Sequence, residues 1–162
     1  MMISRDLAAA ISEQIGREFG ASLQYVSIAS YFHQRHLSLL SKLFFAQADE
    51  ERQHALKFVQ YLLDTRGELK LPAVAAPTMA FASAEEAVQA ALRWEQEVTK
   101  QISGLMDIAC RENDYLAQSF LRVSTLTAAS SLPSSAYGQA VTLSATARPA
   151  TGAGVPTGTA RF

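Results

Sequence analysis

Between residues 5 and 109, apolar positions recur in alternating steps of four and three, the rhythm of helices that each turn one face into a bundle. The first seam is Ile11, Ile15, Glu18, Ser22, Tyr25, Ala29 and Phe32. A second runs Leu40, Phe44, Gln47, Glu51, His54, Phe58 and Tyr61, and a third Val88, Leu92, Glu95, Thr99, Ile102, Met106 and Ala109. These predict a helix from Ser4 or Arg5 to Phe32 and, after the short "HQRHLS", a second from about Leu37 to Thr65, ended by Gly67 and Pro72. Ser83-Ala84-Glu85-Glu86 has the capping-box spacing that opens the third. The connection "GELKLPAVAAPTMAFAS" is too long for a tight hairpin and too apolar for a free linker. It is expected to cross the bundle, so that the second and third helices run parallel. Asn113 or Asp114 can cap a fourth helix, "DYLAQSFLR", of about ten residues, too short to be stable without leaning on the others.

Each of the three seams carries a carboxylate near its middle: Glu18, Glu51 and Glu95. His54 follows Glu51 by three residues, on the same face and about 4.5 Å further along the axis. One unpaired buried carboxylate costs several kcal/mol, and converging carboxylates also repel one another. Protons, arginines or a metal must neutralise such a cluster, and no seam carries a Lys or Arg. Carboxylate oxygens with one imidazole suit iron or manganese better than a cysteine-rich zinc site. Bundles that hold two metals draw a Glu from some helices and Glu-x-x-His from others. A solitary Glu-x-x-His is common on helices, and it is the agreement of three seams that points to metal. Tyr25, seven residues after Glu18, reads equally as core or as a redox-active neighbour. Glu50, Asp49 and Arg52 fall off the seam as solvated residues, and His33 and His36 fall in the loop.

The chain has 162 residues, 49% of them hydrophobic and 18% charged, with a net charge of −1. Nothing in that balance calls for nucleic acid or an anionic membrane as partner. Cys110 is the single cysteine, which excludes an intrachain disulfide framework and a cysteine-rich cluster. No apolar run approaches the roughly 18 residues of a membrane span, and the start is too charged for a signal peptide, so a cytoplasmic protein is expected. Composition divides the chain into residues 1–122, helix-forming and charged, and residues 123–162, rich in Thr, Ser, Gly and Pro. Of 14 basic and 15 acidic residues, only Arg148 and Arg161 lie beyond Arg122. There "QAVTLSATA" alternates as a β-strand, with turn signals at Tyr137-Gly138 and from Pro149 to Gly154.

The segments "EQIGREFGASLQYVSIASYF", "QADEERQHALKFVQYLLD" and "WEQEVTKQI" closely resemble the first three helices of bacterial non-haem ferritins. The resemblance covers about residues 5–122. It implies an all-α, ferritin-like four-helix bundle with a ferroxidase centre that oxidises Fe(II) with oxygen and passes Fe(III) to a mineral core. It further implies that Glu18 and His54 bind a first iron, that Glu51 bridges two irons and that Glu95 binds the second. Tyr25 matches the tyrosine beside that centre, and Glu50 a ligand of a neighbouring third iron site. Haem-binding relatives place a methionine after the bridging glutamate; Arg52 stands there, so no haem is expected. The single cysteine argues against the rubrerythrin-type peroxidases of the same bundle class.

The ferritin pattern stops at Arg122, where the family's fourth helix continues to further iron ligands and cage contacts. Residues 123–162 resemble instead the opening half of a bacterial immunoglobulin-like repeat, about half of what closes a sandwich. A truncated fourth helix with a β-prone or disordered tail is therefore expected. The family's closed homo-oligomeric cage is expected to give way to a dimer or small oligomer. The rival readings are another di-iron oxidase of the same bundle class and a truncated, non-enzymatic bundle that binds iron weakly or not at all.

Overall fold

The computed structural model describes residues 3–122, 125–130, 143–148 and 160–161. Helix α1 spans Arg5–Gln34, α2 Ser38–Asp64, α3 Ala84–Arg111 and α4 Tyr115–Leu121. The Ser4 hydroxyl caps α1 by accepting the Leu7 N–H at 3.0 Å, and Ser83 caps α3 by accepting that of Glu86 at 3.1 Å. The Glu86 carboxylate reaches back to the Ala82 N–H, one residue beyond the reciprocal bond of an ideal capping box. Of the two residues expected to cap α4, Asp114 does so, accepting from Ala117 N–H at 2.9 Å, while Asn113 occupies the turn before it.

The three long helices end alike. His36, Arg66 and Asn113 have φ of 59°, 56° and 56°, and the next residue donates its N–H to the carbonyl five positions back. This is the Schellman ending, here with no glycine in the left-handed position. Gly67, expected as the terminator of α2, follows that position. Its role is close approach: a Cβ there would lie 2.8 Å from Ile3 Cγ2 and 2.9 Å from Leu62 Cδ2. His33, expected in the loop, belongs to the last turn of α1, though it and His36 are exposed as predicted.

The α2–α3 connection retraces α1 from its start to its end. Lys70 N–H donates to Ser12 Oγ, Pro72 lies against Gly16, Thr78 is bonded by Gln24 and Ser27, and Phe81 meets Tyr31 edge-on. Helix α3 thus starts where α1 ends and runs parallel to α2, as the connection's length and apolarity predict.

Two apolar clusters occupy the ends of the bundle. One gathers Leu7, Ile11, Ile15, Phe58, Leu62, Leu105 and Leu121, the other Tyr25, Ile28, Phe32, Phe44, Phe81 and Ala91. Helix α1 packs against both α2 and α3, whose backbones stand apart from each other. The predicted seam of α3 is consequently only half-buried from Val88 to Met106, and its buried stripe is Ala87, Ala91, Leu105 and Ala109. Between α2 and α3 lies a groove of about 610 Å³. Helix α4, seven residues rather than about ten, closes one end of it. Phe120 stacks on Tyr61 at 4.1 Å and meets Phe58 edge-on.

Beyond α4, strands β1 (Thr125–Ser130), β2 (Leu143–Arg148) and β3 (Ala160–Arg161) pair antiparallel in that order. Strand β2 overlaps the predicted alternation, whereas β1 was not expected. The turn signals at Tyr137-Gly138 and 149–154, and most of the immunoglobulin-like stretch, lie outside the described residues. Among the described residues no helix is long and apolar enough to cross a membrane.

Candidate metal centre

Glu18 of α1 and Glu51 and His54 of α2 meet between the two apolar clusters, with one ligand atom from each within 4.8 Å of the others. Steps of three along α2 put His54 over Glu51, and His54 Nδ1 lies 3.3 Å from Glu51 Oε2. The Ser22 hydroxyl donates to the Ala48 carbonyl at 2.7 Å and fastens α1 to α2 beside them. Glu18 and Glu51 are 1% and 4% exposed, and His54 is half-buried on the groove side.

Glu95 is not drawn into this group. Its Oε1 accepts a short hydrogen bond from the Tyr25 hydroxyl, and Tyr25 is itself wedged against Phe44. Glu95 nevertheless lines the same groove, as does Glu50, which is exposed at the rim. Asp49 and Arg52 form a solvated pair at 3.3 Å, in keeping with their off-seam positions.

Two glutamines have a part that the sequence reading did not assign. Gln14 Nε2 donates to Glu18 Oε1 at 2.7 Å, and Gln47 Nε2 donates to Glu51 Oε1 at 3.0 Å. The signal was present in "QIGRE" and "QADEE": a Gln four residues before Glu18 and before Glu51, one turn back on the same face, where Glu95 has Ala91.

The charges are divided unequally. Burial pushes the Glu18 carboxyl up to about 8; the bond from Gln14 opposes this, and the neighbouring Glu51 adds to it. Burial also acts on Glu51, but hydrogen bonds with His54, Glu18 and Gln47 outweigh it and hold the carboxyl below its ordinary range. His54 is raised, chiefly by its bond to Glu51. Burial raises Glu95 against the opposing bond from Tyr25, and raises the Tyr25 hydroxyl, which also faces that carboxylate. At neutral pH the metal-free cluster therefore holds a protonated Glu18 beside an ionised Glu51 paired with His54.

Glu18 Oε2 is buried and accepts no hydrogen bond among the described residues, so that in the metal-free cluster it faces only the Glu51 carboxylate, with which a proton must be shared. An acceptor left bare in the interior is costly. A cation held between Glu18, Glu51 and His54 would satisfy it, displacing the proton, and the oxygen-rich set with one imidazole fits iron or manganese.

An antiparallel helical pair with carboxylates facing across its middle, and a long crossover to a parallel third helix, define a ferritin-like protein. The chain belongs to that family: the ferritin-like domain model matches residues 8–127, reaching a little past the end of α4. It is 43% identical over 114 residues to the ferritin BfrB of Mycolicibacterium smegmatis, a match covering 70% of this chain and 63% of that protein. The chain thus spans less than two thirds of that relative. It is 34% identical over 120 residues to the bacterial non-heme ferritin of Staphylococcus aureus, covering 74% of this chain and 72% of that one. Among solved structures, an open pore ferritin from the archaeon Archaeoglobus fulgidus aligns with a TM-score of 0.71 at 33% identity, over 74% of each chain.

Proposed function

We propose that the chain binds Fe(II) at the Glu18–Glu51–His54 cluster and oxidises it with oxygen, the ferroxidase step of iron storage. The observation that carries this reading is the buried Glu18 Oε2, which accepts no hydrogen bond and lies with Glu51 and the His54 imidazole within 4.8 Å of one another. Glu18 and His54 take the first iron, with Glu18 giving up its proton as the metal arrives. Glu51 spans to a second iron on the groove side, where Glu95 reaches it by exchanging its bond to Tyr25 for the metal. Two irons held close give one electron each to the same oxygen molecule. Tyr25 keeps Glu95 at the groove until then, and Glu50 at the rim serves a third iron. No haem takes part, with Arg52 beside Glu51.

The same reading makes the protein a cytoplasmic homo-oligomer. Because α4 ends at Leu121 and leaves the groove open, a dimer or small oligomer is favoured over the family's closed cage. Residues 123–162 act as a separate, partial immunoglobulin-like segment.

The test is stepwise addition of Fe(II) to the metal-free chain in air, followed by ferric absorbance. Fast oxidation that saturates at a fixed ratio of iron to chain is expected. A rate no faster than iron in buffer sinks the ferroxidase reading. The open groove favours one alternative, a bundle that binds iron without oxidising it, which the same titration under nitrogen would expose as binding without a fast oxidation phase in air. Light scattering coupled to size exclusion separates a small oligomer from a cage.

A further inference from the structure

We infer that Gln14 is a positioning residue, which ties down one oxygen of Glu18 so that the carboxylate meets a metal through Oε2 alone. The inference rests on the metal reading of the cluster and adds to it a residue that makes no contact with metal.

Gln14 is 0% exposed, and its Nε2 lies 2.7 Å from Glu18 Oε1. Its own Oε1 is buried without a partner among the described residues. Such an amide is a poor choice for packing, because a methionine of the same length would fill the space with no polar atom to satisfy. A local rule broken in a core commonly marks a functional position. The amide group also suits the task chemically. It donates a hydrogen bond while carrying no charge, so it orients the carboxylate without competing with a cation for it. Turned over, it would set its oxygen against a carboxylate oxygen once a metal has displaced the Glu18 proton, so the metal-bound state fixes the amide's direction.

Helix α2 repeats the arrangement in looser form. Gln47 holds Glu51 Oε1 at 3.0 Å, but Gln47 is half-buried and Glu51 Oε2 lies against His54. Glu18 therefore keeps one free oxygen and one tied, whereas Glu51 has two oxygens in weaker bonds, either of which a metal can claim. The pair of glutamines thereby divides the carboxylates into a one-oxygen ligand and a bridging one.

Co(II) bound to the full-length, metal-stripped chain tests this, because its visible absorption reports coordination number as well as affinity. For Gln14→Met, Co(II) affinity is expected to fall roughly 10- to 100-fold, as for other groups that orient a metal ligand. The visible bands should change as Glu18 becomes free to bind with both oxygens, while the far-ultraviolet dichroism stays unchanged. Gln14→Asn, polar but too short to reach Glu18, should show the same loss and covers the case in which the methionine variant misfolds. Gln47→Met should change affinity less. Unchanged affinity and bands in both Gln14 variants, or lowered stability with unchanged bands, would overturn the positioning role and leave the metal reading standing. Wild-type chain that takes up no Co(II) removes the metal reading and this inference together.

Discussion

The two faces of α1 meet very different neighbours. Toward α2, its seam is sealed: Ile11, Ile15, Ile28, Ala29 and Phe32 are fully out of water, opposed by Ala55, Phe58 and Leu62. Toward α3 the packing is looser, and the equally regular seam of α3 itself stays half-wet, because α2 and α3 stand apart across an open groove. The carboxylates follow the same division. Glu18 and Glu51 are desolvated and press on one another, while Glu95 sits at the groove with Tyr25 as its partner. An apolar rhythm therefore marks the face a helix offers, and a packed partner decides whether that face becomes core.

The largest effect expected from this asymmetry is on the chemistry. Under the proposed function Glu51→Ala removes the carboxylate assigned to both irons, and Fe(II) oxidation should fall on the order of 1000-fold, several kcal/mol of barrier. Glu95→Ala should cost much less, roughly 10- to 100-fold, because water in the open groove can replace a ligand on that side. Stopped-flow absorbance with excess oxygen measures both. Equal losses would mean that the groove side is as tightly built as the sealed side.

That division was only partly legible in the sequence. The three seams, the crossover and the cluster of Glu18, Glu51 and His54 could all be read, because period and residue type encode them directly. The half-burial of Leu92, Ile102 and Met106 could not, since it depends on where α4 stops relative to α2 and α3 in space. Likewise, spacing puts Glu95 at the right height on its helix, but its hydrogen bond to Tyr25 depends on how α3 is rotated against α1. The part played by Gln14 was missed for another reason: a glutamine one turn before a glutamate is ordinary on a solvated helix and gains meaning only when both are buried.

Stability offers the next sharpest contrast. Ile15→Ala, at a site with no exposure, should cost about 3 kcal/mol through lost burial and the cavity left behind. Ile102→Ala, on the half-buried α3 seam, should cost only about 1 kcal/mol, since much of its side chain already meets water. Urea midpoints at constant m-value give both numbers. Equal costs would show that something covers the groove in solution.

A smaller effect follows from charge. The Glu18 carboxyl rises from 4.5 to about 8 on folding. A group that holds its proton more tightly when folded contributes stability that is complete below its unfolded pKa and lost as pH rises through its folded value. His54, also raised, acts in the same sense, losing its contribution as pH rises through its folded pKa. Glu51, lowered, contributes fully above its unfolded pKa and loses that only as pH falls. The metal-free protein should therefore become less stable between pH 5 and pH 8.5, by about 2 kcal/mol after allowing for screening by water in the groove. Glu18→Gln should remove most of that decline. Denaturation in the presence of a chelator at the two pH values decides it, and a wild-type curve as flat as the variant's would refute the assignment.

The smallest effect would come from mending the looser joint. Gly20 sits within α1 facing α3 and the crossover, and a Cβ there would lie 3.6 Å from Trp94 Cη2 and 3.8 Å from Val74 Cγ1. Those are ordinary contact distances. Glycine inside a helix costs about 0.5–1 kcal/mol relative to alanine through the freedom it gains on unfolding, so Gly20→Ala should recover that amount. Gly16→Ala, one turn earlier, is the counterexample, because a Cβ there would fall 2.3 Å from Pro72 Cγ and push the crossover off α1. The same substitution is thus expected to stabilise at one glycine and destabilise at the other. Thermal melts give the sign, and Trp94 fluorescence reports whether the added methyl touches the indole. If Gly20→Ala destabilises, α1 and α3 are packed more tightly than these distances allow, and the contrast between the two faces of α1 is smaller than the groove suggests.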